Sequence, residues 1–262
     1  MNEAPDRSRR ALAVTRSERT WRRLLGRLLW PWAKAESEMV EMGMAMRTEV
    51  RRHAAAVFVQ VESLQALYAE LRLERGLPQT RDWAASPDIL LLLARRARER
   101  RPRIVVECGS GISTVVLARC MQLNERGQVY SLEHDPSHAM QTRRELARHG
   151  LEAFASVLDV SLRPYSLGGM QLNWYDLEAL EIDDPIELLF IDGPPRIPGL
   201  LTRYPCGPLL FKRLAAGAAA VLDDAARPEE QEAVQRWLAE DPTLRADDVP
   251  CEKGCVVLHR GV

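Results

Sequence analysis

The feature that most constrains the fold is a series of short, mostly apolar runs that alternate with stretches of helical periodicity. Runs of this length and composition are typical of buried parallel strands, because helices cover both faces of such a sheet. A last run, Cys255–His259, follows Lys253-Gly254 and is expected to close the sheet as a hairpin strand. The sequence therefore predicts an α/β, Rossmann-like, doubly wound and mostly parallel sheet over residues 86–262. The runs are Ile104–Val106, Val129–Leu132, Ser156–Leu158, Leu188–Ile191 and Ala219–Leu222.

Residues 1–85 lack this alternation and are expected to form a helical N-terminal extension. Within residues 21–32, apolar side chains recur at helical spacing opposite arginines, which predicts a short basic amphipathic helix. Pro31 is expected to interrupt this helix or to start the next one. The net charge is +6 over residues 1–34 and −7 over the rest of the chain. Such a helix either makes peripheral contact with an anionic membrane or packs against its own domain.

Residues 33–75 contain no proline and one glycine, which predicts a long helix that ends at Gly76-Leu77-Pro78. From residue 50 to residue 71, side chains recur in alternating steps of four and three, as in a coiled coil. This seam is expected to pair with another subunit, giving a homo-oligomer, or to pack on residues 20–32 of its own chain. Its members are Val50, Ala54, Val57, Val61, Leu64, Tyr68 and Leu71.

The composition of the 262 residues restricts the class of protein. Apolar residues make up 46% and charged residues 28%, which is typical of a folded globular chain, and a net charge of −1 gives no overall field that attracts nucleic acid. Five cysteines, an odd number, without a secretory apolar region predict reduced thiols in the cytoplasm. No apolar run approaches the roughly 20 residues of a membrane span. Any membrane contact is therefore expected to be peripheral, at the inner membrane.

The sharpest motif lies where the first predicted strand ends in Glu107 and a turn containing Gly109 and Gly111 opens a helix. Glycines let the backbone turn tightly and approach a ligand. Glu133 ends the next strand, where an acid accepts hydrogen bonds from ribose hydroxyls. The third glycine of a pyrophosphate-binding turn is missing, which leaves a nicotinamide-dependent oxidoreductase as a weaker alternative. A carboxylate at the turn instead suits a ligand that carries an amino group.

These residues resemble the acid-x-Gly-x-Gly motif of the class I S-adenosylmethionine-dependent methyltransferases, including bacterial members of uncharacterised activity. The resemblance extends over residues 86–262. It implies a seven-stranded sheet with a reversed final strand, S-adenosylmethionine as cofactor, and a set of cofactor-binding residues around the strand ends. These candidates are Glu107, Gly109, Ser110, Gly111, Ser113, Glu133, His134 and Asp159.

Three acids, Asp192, Asp223 and Asp224, follow two of the predicted strands and are expected to meet at one edge of the sheet. Carboxylates so placed repel one another unless a cation or a proton intervenes, and their oxygens suit Mg²⁺. The arrangement is similar to the metal-binding acids of catechol and caffeoyl-coenzyme A O-methyltransferases. Asp192 is also the catalytic candidate, although the lysine that serves those enzymes as a base is missing. The structural alternative is that Asp192 shapes the following loop and Asp223 caps the helix that begins near Pro228.

The sequence thus predicts an enzyme that transfers a methyl group from S-adenosylmethionine to a small-molecule or glycan acceptor, at a hydroxyl, with possible help from Mg²⁺. The alternative is a non-catalytic scaffold whose long helix joins subunits. Nucleic acid is not an expected partner, since the sequence from Asp192 to Pro195 departs from the Asp-Pro-Pro-Tyr motif of amino-methylating enzymes. Trp174 and Tyr175 stack on adenine, line a substrate pocket or belong to the core. Arg203, Tyr204 and Arg227 are candidates for binding an anionic group.

Overall fold

The computed structural model describes residues 16–80, 83–197 and 199–261; in the first helix, side chains are described from residue 30 onward, except at 31, 33 and 37. The chain divides into two compact units, residues 1–55 and 56–262. The described residues of the first unit are all helical. No helix in the described ranges combines the length and the hydropathy of a membrane span.

The first helix, α1, extends without a break from Arg16 to Leu71. The predicted interruption at Pro31 is wrong, since the helix continues through that residue; a proline removes one backbone donor, and the remaining hydrogen bonds sustain the helix. The side chains of residues 21–29, on which the amphipathic interpretation depends, lie outside the described residues. The helix ends five residues before Gly76 because Arg72 adopts a left-handed conformation with φ of 49°. The Arg119 side chain then donates to the carbonyl oxygens of Leu71 and Arg72, at 2.9 and 3.1 Å.

In the second unit, α1 buries a face that differs from the predicted seam. The buried residues are Gln60, Ser63, Leu67 and Leu71, and the Gln60 amide donates to the Asp88 carboxylate at 2.9 Å. Of the seam residues, only Leu71 is buried; Leu64 and Tyr68 are half-buried, and the others, Val50, Ala54, Val57 and Val61, are exposed.

The remaining elements mostly alternate between strands and helices, as the sequence predicts. The bounds are α2 (Pro87–Arg100), β1 (Ile104–Cys108), α3 (Ile112–Asn124), β2 (Gln128–Glu133), α4 (Pro136–His149), β3 (Ala155–Asp159), β4 (Leu162–Leu167), β5 (Met170–Tyr175), β6 (Ile186–Ile191), α5 (Cys206–Leu210), β7 (Leu214–Asp223), α6 (Pro228–Glu240), β8 (Leu244–Val249) and β9 (Cys255–Arg260). The exceptions to the alternation are the runs β3–β6 and β8–β9.

Seven strands form one sheet in the order β3-β2-β1-β6-β7-β9-β8. The first five are parallel, and β9 pairs antiparallel with both β7 and β8, which confirms the predicted hairpin at the end of the sheet. A separate hairpin of β4 and β5 was not predicted. Alternate strand residues face opposite sides, so Val105 and Val106 belong to two different core clusters, one on each face of the sheet. The carboxyl ends of β1, β2, β6 and β7 consequently share one edge.

Candidate active site

The turn after β1 places bare backbone at the carboxyl edge of the sheet. Gly109 and Gly111 have φ of 101° and 148°, a region that residues with a side chain rarely adopt. A Cβ atom would lie 3.7 Å from the backbone of Asp192 at the first position, and 3.6 Å from His138 Nε2 at the second. Both separations are ordinary van der Waals contacts. Glycine is therefore required by backbone conformation at these two positions, and packing does not demand it.

Glu107, the fourth residue of β1, is fully buried beneath this turn. Its Oε2 accepts hydrogen bonds of 2.6 Å from the Thr114 and Ser131 hydroxyls. Its Oε1 has no hydrogen-bond partner among the described residues, although the side chain lines a cavity. Burial raises the pKa of Glu107, and the neighbouring hydroxyls oppose this shift. One carboxylate oxygen is thus left for a donor that comes from outside the chain.

Glu133 ends β2 and is held rigidly at the same edge. Its Oε2 accepts from the Ser110 hydroxyl at 2.8 Å, and its Oε1 accepts from the backbone N–H groups of His134 and Asp135, at 2.9 and 3.0 Å. The Ser110 hydroxyl also lies 3.1 Å from that of Thr142. Two carboxylate oxygens offer about four lone-pair sites, so capacity remains for a ligand hydroxyl.

The other predicted cofactor residues are not all brought together. Ser113 and His134 line the cavity with Glu107 and Glu133. Asp159 pairs in register with Glu133 on the adjacent strand, but its side chain is exposed, bonds to Arg143 at 2.7 Å and does not line the cavity.

Asp192, Asp223 and Asp224 meet where β6 and β7 end, as the parallel sheet predicts. One ligand oxygen from each lies within 4.8 Å of the others. The expectation that Asp223 caps the next helix is wrong: its Oδ1 accepts from the Asp224 backbone N–H at 2.7 Å, and the N-cap of α6 is Arg227, which makes no side-chain cap hydrogen bond. The three acids therefore form a cluster of their own.

Arg203 is the residue of this cluster whose role the sequence did not reveal. Its Nη2 donates to Asp192 Oδ1 at 3.1 Å and to Asp224 Oδ2 at 2.7 Å, while its Nη1 donates to the backbone carbonyl of Asp223 at 2.8 Å. Only 4% of its side chain is exposed. The Arg227 guanidinium lies 2.8 Å from the same oxygen of Asp224. Arg203 is thus committed to the acids and is not free to bind an anionic group.

Asp192 and Asp223 keep raised pKa values although Arg203 and Lys253 lie nearby. Burial raises the pKa of Asp223 to about 6 and that of Asp192 well above its usual range; the neighbouring carboxylates add to both shifts, and Arg203 opposes them. Asp223 Oδ2 is buried without a hydrogen-bond partner among the described residues. Such a cluster is stabilised by a proton or by a further cation.

One cavity of about 1010 Å³ connects the two groups of residues, with Glu107, Gly109 and Glu133 on one side and Asp192 and Asp224 on the other. Its size is at the upper end of the range for small-molecule sites. Tyr175 also lines it, 6.1 Å from the ring of His134, and its buried hydroxyl has no partner in the described chain. A Cβ at position 193 would clash with that hydroxyl and would lie 3.1 Å from the backbone oxygen of Cys108, so glycine is the residue that fits there. Trp174 is fully buried in the core and does not line the cavity.

Residues 106–225, which run from β1 to just beyond β7, match a family model described as a methyltransferase domain. The match covers 120 of the 262 residues and shows that this segment is similar to methyltransferases. The matched segment contains Glu107, the glycine turn, Glu133 and the three acids. Comparison with curated proteins gave no match.

Solved structures share the fold of this chain at low sequence identity. The O-methyltransferase TomG from Streptomyces achromogenes, involved in tomaymycin synthesis and solved with SAM, is 19% identical with a TM-score of 0.56, over 80% of this chain and 96% of that one. An O-methyltransferase from Bacillus cereus, solved with SAH, is 19% identical with a TM-score of 0.56, over 79% and 97%. A putative O-methyltransferase from Klebsiella pneumoniae is 19% identical with a TM-score of 0.52, over 80% and 97%.

Proposed function

We propose that the chain transfers the methyl group of S-adenosylmethionine to a hydroxyl of a small-molecule or glycan acceptor. The observation that carries this proposal is the cavity that joins the glycine turn to Asp192 and Asp224. A cofactor on one side and an acceptor on the other would lie within this one cavity. The similarity in fold to O-methyltransferases supports the same reaction class.

The cofactor would lie across the ends of β1 and β2. The unpartnered Oε1 of Glu107 suits the amino group of the cofactor, because a buried carboxylate oxygen without a donor is costly. Glu133 would accept from the ribose hydroxyls, with Ser110 and the two backbone N–H groups fixing its orientation. Bare backbone at Gly109 and Gly111 permits close approach.

The acids would face the acceptor, and their chemistry fits a divalent cation. One oxygen of each carboxylate is already engaged, by Arg203 at Asp192, by a backbone N–H at Asp223 and by Arg203 and Arg227 at Asp224. The orphaned Asp223 Oδ2 supports the same fit, since hard cations such as Mg²⁺ prefer carboxylate oxygens. Asp192, Asp223 and Asp224 would hold the ion, which when bound polarises a hydroxyl oxygen and lowers its pKa.

The chain's own contribution is alignment and proton removal. The acceptor oxygen forms a bond to the methyl carbon as the bond from that carbon to the sulfonium sulfur breaks, and proximity supplies about 7–11 kcal/mol when the atoms are held in line. Asp192 is the acid most open to the cavity, with 18% of its side chain exposed against 6% for Asp224. In the absence of a bound cation we assign it the hydroxyl proton, because burial and its neighbours raise its pKa toward that of a general base.

The test is release of S-adenosylhomocysteine from S-adenosylmethionine with a panel of catechols, phenols and sugars, with and without Mg²⁺. Asp192→Asn should lower turnover at least 100-fold while binding of S-adenosylhomocysteine stays within threefold of the wild type. Glu187→Gln is the matched control, because that carboxylate lies on the same strand but bonds to Arg103 at 3.2 Å near the amino end of the sheet. Full turnover by Asp192→Asn on an acceptor that the wild type methylates would reject the assignment.

A further inference from the structure

The helix of the first unit carries an exposed apolar stripe, defined here as Trp32, Met39, Gly43, Met46 and Val50. Successive members are seven, four, three and four residues apart, so they lie on one face of the helix. The exposed fractions are 77% for Trp32, 66% for Met39, 69% for Met46 and 59% for Val50. A helix gains most of its stability in water from burying such a face. No described residue of this unit covers the stripe, and a partner is therefore required.

Charge is distributed along this helix in two opposite blocks around Gly43. Residues 34–41 have a net charge of −2, and residues 47–52 have a net charge of +2. A second copy aligned in parallel would place like charges beside each other. An antiparallel copy would place each acidic block beside a basic block, which is how flanking charges select orientation in coiled coils. The side chains concerned, all exposed, are Glu36, Glu38 and Glu41 in the first block and Arg47, Arg51 and Arg52 in the second.

We propose that this stripe is the interface of a homodimer in which residues 36–53 of two copies pair antiparallel, about a two-fold axis between positions 44 and 45. Met39 of one copy then opposes Val50 of the other. Met46 opposes Gly43, where the missing side chain leaves room for it; a Cβ there would meet no atom within 4 Å in the single chain. The two surfaces are identical and complementary, so association stops at the dimer.

Light scattering on the full chain tests the association. We expect about twice the chain mass of 29.6 kDa for the wild type, and half of that value for Val50→Glu, which places a charge in the stripe. Met44→Glu is the matched control, because Met44 is 63% exposed but lies on the far side of the helix, and this variant should remain a dimer. Circular dichroism verifies that both variants stay helical. A wild type that is monomeric at every concentration overturns the proposal; if that monomer sediments with phosphatidylglycerol vesicles, the stripe binds membranes.

Disulfide cross-linking tests the orientation. In the antiparallel pair, residue 39 of one copy is eleven residues from residue 39 of the other, about 16 Å along the axis and beyond the reach of a disulfide. The double variant Met39→Cys/Val50→Cys should therefore cross-link between copies under oxidation, while each single variant should not. Wild type, whose five cysteines are free, gives the background. Cross-linking of both single variants would show a parallel pair and overturn the antiparallel arrangement.

Discussion

The guanidinium of Arg203 donates a hydrogen bond of 2.7 Å to the carboxylate of Asp224, and both side chains are almost fully buried. The same guanidinium bonds to Asp192, so one buried cation joins the ends of two neighbouring strands. Asp192 and Asp224 line the cavity, so the bonds from Arg203 stabilise the fold and also fix the position of these two carboxylates in the site.

Removing this cation should destabilise the chain strongly. Breaking a buried ion pair from one side costs about 3–5 kcal/mol, because the partner charges stay buried without compensation. We expect Arg203→Gln to lower the free energy of unfolding by that amount in urea titrations. Arg227→Gln is the control: its side chain is 34% exposed, and its loss should cost about 1 kcal/mol or less. Equal losses for the two variants would show that Arg203 does not hold the cluster together.

Two glycine-to-alanine variants should distinguish the cost of backbone strain from the loss of cofactor binding. Gly109→Ala forces a side chain into a left-handed φ of 101°, at a cost of about 1–2 kcal/mol, and projects a methyl group at the cavity. Gly169→Ala, at a φ of 75° in the β4–β5 hairpin with no atom within 4 Å of its Cβ, should cost a similar amount. Only Gly109→Ala should weaken cofactor binding more than tenfold by calorimetry. Unchanged affinity in that variant would mean that the cofactor does not approach the turn.

The acid cluster should make stability depend on pH. The pKa of Asp223 is about 6 in the folded chain and about 3.9 when unfolded, so the folded state holds the proton more tightly. The stabilisation that the proton on Asp223 gives the folded chain is therefore lost as pH rises from about 4 to about 6, and it stays absent at higher pH. Without divalent cations, Asp223→Asn should stabilise the chain by about 1–3 kcal/mol at pH 7.5 and hardly at all at pH 4. Denaturant titrations at both pH values measure this.

The control for that experiment is Asp247→Asn on β8, whose side chain is 70% exposed and should change stability little at either pH. A stabilisation by Asp223→Asn that is equal at the two pH values would rule out titration as its cause. The same variant should lose Mg²⁺ affinity, measured calorimetrically without any acceptor present.

Much of the fold follows from local pattern, and the exceptions have physical causes. The runs that form β1, β2, β3, β6 and β7 are apolar because helices cover both faces of the parallel sheet. These apolar runs can be recognised in the sequence alone. β8 is not such a run: most of its residues are exposed at the edge of the sheet, so it carries polar side chains such as Asp247 and Asp248. In the β4–β5 hairpin no residue of β4 is buried and only half of β5 is, so the apolar signal is weak there too. The end of α1 depends on Arg119, which is distant in sequence.

The candidate site also contains residues whose position the sequence predicts and residues whose position it does not. The placement of Glu107, Glu133 and the three acids follows from strand order, because each ends or follows a strand of one parallel sheet. Arg203 has no such signal: it precedes a short helix, α5, and meets Asp224 only through the tertiary fold. The direction of the Asp159 side chain, held by Arg143, is also set by a tertiary contact.

The role of Glu107 is separable from that of Glu133 by the choice of ligand. Glu107→Gln should weaken binding of S-adenosylhomocysteine more than tenfold, since a buried carboxylate that meets an ammonium group contributes more than a neutral amide. It should leave binding of methylthioadenosine, which lacks the amino-acid end, within threefold. Glu133→Ala should weaken both ligands, because both carry the ribose. Equal weakening of the two ligands by Glu107→Gln would contradict the proposed amino-group contact.

Calorimetric titration of the wild-type chain with S-adenosylhomocysteine examines the cofactor site itself. We predict saturable binding of one molecule per chain, lost in Glu133→Ala and retained in Glu187→Gln. An absence of binding to the folded wild-type chain, or binding that Glu133→Ala leaves intact, would contradict a cofactor resting on the ends of β1 and β2.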